Sequence, residues 1–265
     1  MCGRYVSTKS TADLLDEFDA VEVAESDDPV IVPDYNVAPT TSVRTILTRL
    51  PRGIESRSES AVDPVRQLRA ARWGLVPSWA KDESVGNKMI NARAESLADK
   101  AAFKRAFAKR RCLVPADGWY EWHRTTDTAG KPAKQPYLMT PGDGRSLALA
   151  GLYEFWRPKS TAGESDDTED SAVQWLLSVT IVTVPAQGEL AEIHERMPLV
   201  VGQANWSRWL DPSQGGPSEL LTPEDEAARE ALELRPVSAK VNSVQNNSVD
   251  LLTRVEPAEP ALELF

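Results

Sequence analysis

Two stretches near the middle of the chain, Ser146 to Trp156 (SLALAGLYEFW) and Val173 to Val184 (VQWLLSVTIVTV), are dense in β-branched, aromatic and leucine side chains. Such composition reads as strand, and strands of this kind need a sheet in which to bury their side chains. Between them, Lys159 to Ser171 is acidic, rich in Ser and Thr and without apolar anchors, so it is expected to be a mobile loop. Shorter signals extend the pattern. Ser42 to Leu50 alternates as a strand does, and Cys112-Leu113-Val114-Pro115 reads as a short buried strand whose Cys112 is a core thiol. Trp119-Tyr120-Glu121-Trp122, if extended, places Trp119 and Glu121 on one face and Tyr120 and Trp122 on the other.

Helical signals are fewer. Ser7 to Ala20 reads as a short helix, with Ser10-Thr11-Ala12-Asp13 fitting a capping box and Leu14, Leu15 and Phe18 forming an apolar stripe. Ile90-Asn91-Ala92-Arg93-Ala94-Glu95 leads toward a helix carrying the pair Phe103 and Phe107, spaced four apart. Two later helices are expected, one with Trp206, Trp209 and Leu210, the other starting at Thr222-Pro223-Glu224-Asp225. Residues 21–34, Pro51 to Pro64 and 124–136 read as polar loops, with a turn stiffened by Pro39 after the first. Val237 to Val249 (VSAKVNSVQNNSV) reads as a loop that contacts backbone or forms a hydrogen-bond network. Residues 1–255 are expected to form one domain, and 256–265 a loose acidic tail.

Composition narrows the chemistry. No apolar run reaches the ~18 residues of a membrane span, and the first thirty residues lack a signal-peptide core, so the expectation is a cytoplasmic protein. Two cysteines and two histidines argue against a disulfide framework, a metal site or a bound cofactor. The net charge of −10 is unevenly spread: residues 1–65 carry −6, residues 66–111 carry +8 and residues 112–265 carry −12. A basic block in an acidic chain either lines a local positive groove or is simply a solvated helix face.

The start of the chain offers an unusual nucleophile. Cys2 follows the initiator methionine, and a small second residue favours removal of Met1. The mature residue would carry an α-amine and a thiol on adjacent carbons, titrating near pH ~8 and ~8.5. Such an aminothiol condenses with an aldehyde to an imine and then closes a five-membered thiazolidine. Gly3 lets the backbone approach whatever Cys2 attacks. The plainer alternative is an ordinary residue near a frayed terminus. Glu121 among aromatics is either a paired carboxylate or, if desolvated, an acid–base group, and His194 is either a core histidine or a catalytic one. Trp73 and Trp79, beside Arg72, Lys81 and Lys88, are either core or stacking platforms for bases.

Seven segments in order, MCGRY, YNVAPT, WGLVPSW, INARAE, CLVPADGWYEW, IHERMP and VSAKVNSVQNN, resemble the SOS-response-associated peptidase (SRAP) family from Met1 to about Arg254. The resemblance implies an α+β domain with curved, mainly antiparallel and open barrel-like sheets flanked by helices. It also implies a positive cleft for single-stranded DNA and covalent capture of abasic sites. A monomer, associated with the nucleoid during repair, is expected. The family's nucleophile falls on Cys2, its INAR asparagine on Asn91, its YEW glutamate on Glu121 and its IH-x-R histidine on His194. The DNA-contacting positions carried over are Arg4, Arg93 and Trp79, with Trp73, Gly3 and Pro39 beside them. On this reading His194 assists opening of the sugar ring, the Cys2 amine forms the imine, Glu121 moves protons and Asn91 orients the reactants. Thiol addition then suppresses β-elimination and shields the lesion.

Two other readings stand beside it. One is an N-terminal-nucleophile peptidase or amidase, including autocatalytic removal of Met1; class II glutaminase domains also begin Met-Cys-Gly, but they usually show a later Asn-Gly-Asp, and this chain has no Asn-Gly. The other is a binding module that holds single-stranded DNA with the basic block and tryptophans and does no chemistry.

Overall fold

A computed structural model describes residues 2–23, 29–49, 64–126, 130–158, 175–222 and 232–257. Its strands are β1 (Tyr5–Ser7), β2 (Val21–Glu22), β3 (Asp34–Val37), β4 (Ser42–Arg49), β5 (Val65–Trp73), β6 (Asn91–Arg93), β7 (Arg111–Ala116), β8 (Gly118–Thr126), β9 (Pro132–Pro141), β10 (Leu147–Trp156), β11 (Leu176–Pro185), β12 (Arg196–Pro198) and β13 (Leu232–Pro236). The helices are short: α1 (Thr11–Phe18), α2 (Lys104–Lys109), α3 (Glu189–Ile193) and α4 (Trp206–Leu210). The fold is α+β with mostly antiparallel sheets, as the resemblance implies.

The two stretches richest in β-formers pair with each other, β10 with β11 from Gly151↔Ile181 to Trp156↔Leu176. β10 continues the sheet through β7, β4 and β5, all antiparallel. β5 then returns to β11 in parallel, with Ser178 opposite Arg72 and Val179 opposite Trp73, so five strands close a ring. Closure removes the open edges that a sheet this apolar would otherwise expose. β11 is paired on both edges along most of its length. Ile181 sits between Gly151 and Asn91, and Thr183 between Pro198 and Arg93, so β6 and β12 flank the same end of β11 from opposite sides.

A second sheet, ordered β13-β9-β8-β1-β3, carries the chain's start against the ring. Alternation in β8 works as its residues predict. Trp119 joins the large core, whereas Tyr120 packs in a smaller cluster with Val6, Leu138, Val237, Val241 and Leu251. Tyr5 on β1 meets Trp73 edge to face, with ring centroids 5.3 Å apart, and so couples the two sheets.

Several expectations need correction. The first helix spans only Thr11–Phe18, because Ser7 pairs in β1 and Asp19 ends the helix in a left-handed conformation. Its capping box is present: the Ser10 hydroxyl accepts from Asp13 N at 3.1 Å, and the Asp13 carboxylate accepts from Ser10 N at 3.2 Å. Asn91–Arg93 forms a strand and Ala94–Ser96 a 3-10 turn before α2 begins. The loop expected over 124–136 is largely hairpin, with Arg124 opposite Lys134 and Thr126 opposite Pro132. The acidic stretch 159–171, the helix expected from Thr222, almost all of 51–64 and most of the tail lie outside the described residues.

The arginines of the basic block do not share one helix face but are spread over several elements. Arg66 donates to Phe18 O and Ser207 Oγ, Arg72 to Gly74 O and Asn87 Oδ1, and Arg110 pairs with Glu154. Arg111 is buried and donates to the carbonyls of Phe107, Ala108, Trp209, Asp211 and Gln214. Lys81, Lys88 and Arg93, in the segment that carries Trp79 and β6, remain exposed.

That segment is fixed by a glycine contact. Gly74 has φ +130, and a Cβ placed on it would meet Gly86 O at 2.6 Å; Gly86 faces Gly74 O in the same way. Only the absence of both Cβ atoms lets the chain after β5 cross the turn at Glu83–Lys88. Gly74→Ala is therefore expected to destabilise the protein by about 2–4 kcal/mol, from the unfavourable φ and the backbone clash together. Denaturant unfolding of the variant beside wild type checks this; an unchanged midpoint would show that the crossing relaxes freely.

Candidate active site

The residues that bear chemistry arrive on different strands. From β1 the chain runs back along β8, Tyr120 N donating to Arg4 O at 3.0 Å, so that Gly3 and Cys2 approach Glu121. Cys2 is fully buried. β6 brings Asn91, whose Nδ2 donates to Cys2 O at 2.8 Å. The Asn91 Oδ1 is buried and accepts no hydrogen bond among the described residues. His194 closes α3, which packs against β8. Its Nδ1 lies 3.0 Å from Arg196 N, which can only donate, and 3.2 Å from Arg196 O, which can only accept. The shorter of the two contacts favours Nδ1 as the acceptor, with the proton of the neutral ring on Nε2.

Burial drives all three titrating groups toward neutrality. Desolvation raises the Cys2 thiol far above its usual range, and the neighbouring Glu121 carboxylate raises it further. Desolvation also lifts Glu121 from 4.5 to about 7. His194 falls below its ordinary 6.5, again chiefly through burial. The site at neutral pH holds a protonated thiol, a carboxyl near its midpoint and a neutral imidazole. Such a set suits proton transfer close to physiological pH.

With the geometry in place, the sequence matches the model of the SOS response associated peptidase (SRAP) family over residues 1–244. The chain belongs to the SRAP family. It is 34% identical over 255 residues to the abasic site processing protein YoaM of Bacillus subtilis, covering 95% of this chain and 97% of YoaM. It is 33% identical over 251 residues to the abasic site processing protein HMCES of Rattus norvegicus, covering 85% of this chain and 67% of HMCES. A crystal structure of a Bacteroides thetaiotaomicron protein superposes with a TM-score of 0.72 at 20% identity, covering 96% of this chain and all of that one, which supports the fold.

The SRAP motifs can now be followed side chain by side chain. Arg4 is half-buried, and its guanidinium donates to Asn36 Oδ1 at 2.7 Å, to Val241 O at 3.0 Å and to Asn242 O at 3.4 Å. Arg93 is exposed. Trp79 is 56% exposed, in the turn closed by Ala80 N donating to Pro77 O. Trp73 is fully buried with Nε1 bonded to Ile90 O at 2.9 Å, so it is a core residue. Gly3 and Pro39 are partly exposed, Pro39 in the turn whose Thr40 N donates to Trp73 O at 2.8 Å.

Three residues escaped the reading of the motifs that contain them. Asn36 of YNVAPT donates through Nδ2 to Val241, Ser243 and Asn246 carbonyls, latching the VSAKVNSVQNN loop over Arg4. Glu95 of INARAE and Arg196 of IHERMP form a two-point ion pair beside His194. Charge complementarity between those motifs was the available signal. Among the described residues, no helix is long and apolar enough to cross a membrane.

Two measurements follow from this burial. Trp73→Ala should cost about 3–5 kcal/mol of stability, whereas Trp79→Ala should stay within about 0.5 kcal/mol of wild type. Thermal or urea unfolding distinguishes them, and equal losses would contradict the assignment of core and surface. For Glu121, the folded state binds the proton more tightly than the unfolded state, whose carboxyl titrates near 4.5. Stability is therefore lost as pH rises from about 4.5 through about 7. Glu121→Gln should be the more stable protein at pH 8, by at most about 3 kcal/mol, with the margin vanishing near pH 4. A wild-type advantage at pH 8 would show that the buried carboxylate is well compensated.

Proposed function

We propose that the protein processes abasic sites in DNA by covalent capture on Cys2, once Met1 has been removed. The reading is supported by one structural observation above others: Cys2 is fully buried with Asn91 Nδ2 donating to its carbonyl at 2.8 Å, in surroundings whose desolvation, with the Glu121 carboxylate, raises its thiol. A cysteine peptidase needs a thiolate, which this environment disfavours. An aldehyde needs an amine first, and relatives that align with nearly the whole chain carry the name abasic site processing protein.

An abasic deoxyribose is mostly a closed hemiacetal in equilibrium with a little open-chain aldehyde. His194, neutral with its proton on Nε2, is suited to exchanging a proton with the ring oxygen during opening. The Cys2 amine adds to C1′ to give a carbinolamine. Glu121, near its midpoint at neutral pH, delivers the proton with which the hydroxyl leaves as water, and an imine forms. Asn91 Oδ1, buried without a hydrogen bond among the described residues, is an open acceptor for the amine or for a sugar hydroxyl. The thiol then adds across the C=N bond: sulfur bonds to C1′, the thiol proton leaves to Glu121, and nitrogen takes up a proton. The product is a thiazolidine, in which the electron sink for β-elimination is gone. The exposed Arg93, Lys81 and Lys88 would neutralise phosphates, and Trp79 would occupy the space of a displaced base.

The decisive test is the denaturing intact mass of protein mixed with a single-stranded oligonucleotide bearing one abasic site. A species of protein plus oligonucleotide less one water is expected, absent in Cys2→Ala and unchanged by later borohydride. Acetylating the N-terminal amine should abolish it, and rising salt should slow its formation. A wild-type protein with a processed N-terminus and no adduct would overturn the proposal, and peptide cleavage would become the reading to test.

A further inference from the structure

β6 and β12 lie on opposite edges of β11, and one ion pair spans them. Arg196 Nη1 donates to Glu95 Oε1 at 2.6 Å and Nη2 to Glu95 Oε2 at 3.0 Å, a parallel two-point contact. The same Nη2 donates to Thr183 O at 2.6 Å, and Thr183 is the β11 residue paired with both Arg93 and Pro198. The pair thus ties the 3-10 turn after β6 to β12, and through Thr183 to β11, at the end of β11 that pairs with Asn91–Arg93.

Most exposed ion pairs contribute little, since two long side chains must be ordered for a screened attraction. This one differs. The Arg196 side chain is only 10% exposed, while Glu95 is 52% exposed, so the arginine is fixed and the carboxylate reaches in to it. Planar guanidinium and carboxylate in register add directional specificity. The Glu95 carboxyl is lowered from its ordinary value, first by its hydrogen bonds to Arg196. Arg196 is also the residue whose backbone N–H fixes the His194 ring through Nδ1. Glu95 itself lies four residues beyond Asn91, in the 3-10 turn Ala94–Ser96 that directly follows β6.

We propose that Glu95 is a positioning residue for the site: through its clamp on Arg196 it fixes the His194 ring and its distance from Asn91. Glu95 touches neither Cys2 nor, on the proposed reaction, the sugar. Its influence runs through the residue that decides which nitrogen of His194 bears the proton. For the rate of capture this inference rests on the function proposed above; for the state of His194 it does not.

The chain has only two histidines, His123 and His194, so long-range proton–nitrogen spectra resolve both rings, with His123→Gln supplying the assignment. Wild type should show His194 as the Nε2–H tautomer. Glu95→Ala should show a second population protonated on Nδ1, and capture of an abasic oligonucleotide about tenfold slower at saturating DNA, with its half-saturation concentration unchanged. Glu95→Gln keeps an acceptor oxygen and should fall between the two; it also carries the test if the alanine variant fails to fold. An unaltered His194 tautomer in a folded Glu95 variant overturns the proposal, whether or not the rate falls. So does a loss confined to DNA affinity. If wild type captures no abasic DNA, the proposed reaction fails, and the spectra alone decide the positioning role.

Discussion

The arrangement depends on β11 being hydrogen-bonded along both edges. One edge runs with β10 and then β12, the other with β5 and then β6. Each backbone group paired there is removed from water without being orphaned, which is what allows so apolar a strand to sit inside the molecule. Its partners come from residues 72 to 198, so the strand gathers segments distant in sequence into one place. Asn91 and His194 follow from that geometry, because β6 and β12 end beside the same residue, Thr183. Cys2 and Glu121 come from the other sheet, and the Tyr5–Trp73 contact and the Asn91–Cys2 hydrogen bond join the two halves. The site is thus a seam between sheets, and its geometry is set by strand pairing more than by loops.

Burial at that seam has an electrostatic consequence. The thiol and the carboxyl are raised and the imidazole is lowered, each mainly by desolvation, so all three shift toward their uncharged forms. Formal charge is displaced to the periphery: Arg93, Lys81 and Lys88 are exposed, and Arg4 is half-buried against Asn36 and the 241–242 carbonyls. A neutral interior with a cationic surround suits a substrate whose reacting carbon is uncharged and whose flanking groups are anionic. The same burial is a source of instability, since an ionised Glu121 in the folded state lacks the hydration it would have in the unfolded chain.

How much of this was legible in the residues varies with the physics involved. Strands with strong periodic signals, β4, β7, β10 and β11, and the capping box at Ser10 were readable because their determinants are local. The two faces of β8 were readable because alternation has a fixed period. The basic block was not, since charge counts carry no address: Arg111 holds five backbone carbonyls, while Arg93 four residues before Leu97 faces solvent. Trp73 and Trp79 share one motif and one residue type, and what separates them is tertiary: Trp73 ends β5 against Tyr5 and Ile90 O, whereas Trp79 lies beyond the Gly74–Gly86 crossing and is exposed. The Asn36 latch was invisible for a similar reason. An asparagine that donates to three carbonyls more than 200 residues away has no local signature.

The electrostatics also order the steps of the proposed reaction. A Cys2 thiolate formed early would place a second negative charge beside Glu121 in a site that solvates neither, which is why the thiol is raised by both causes at once. The α-amine meets no such obstacle, because it attacks as the neutral base and titrates near pH ~8 when unperturbed. Nitrogen therefore attacks first, and the thiol keeps its proton until the imine exists. An imine that takes up a proton becomes cationic, and that charge, one bond from the carbon to be attacked, offsets the cost of forming a thiolate nearby. Sulfur addition is favoured only after nitrogen has reacted. The buried carboxyl can accept the thiol proton at that stage because its own affinity has been raised to about 7. A cysteine in an open, cationic pocket would lose this ordering and react through sulfur first. The burial that makes Cys2 look like a core residue is, on this argument, what reserves its thiol for the second step.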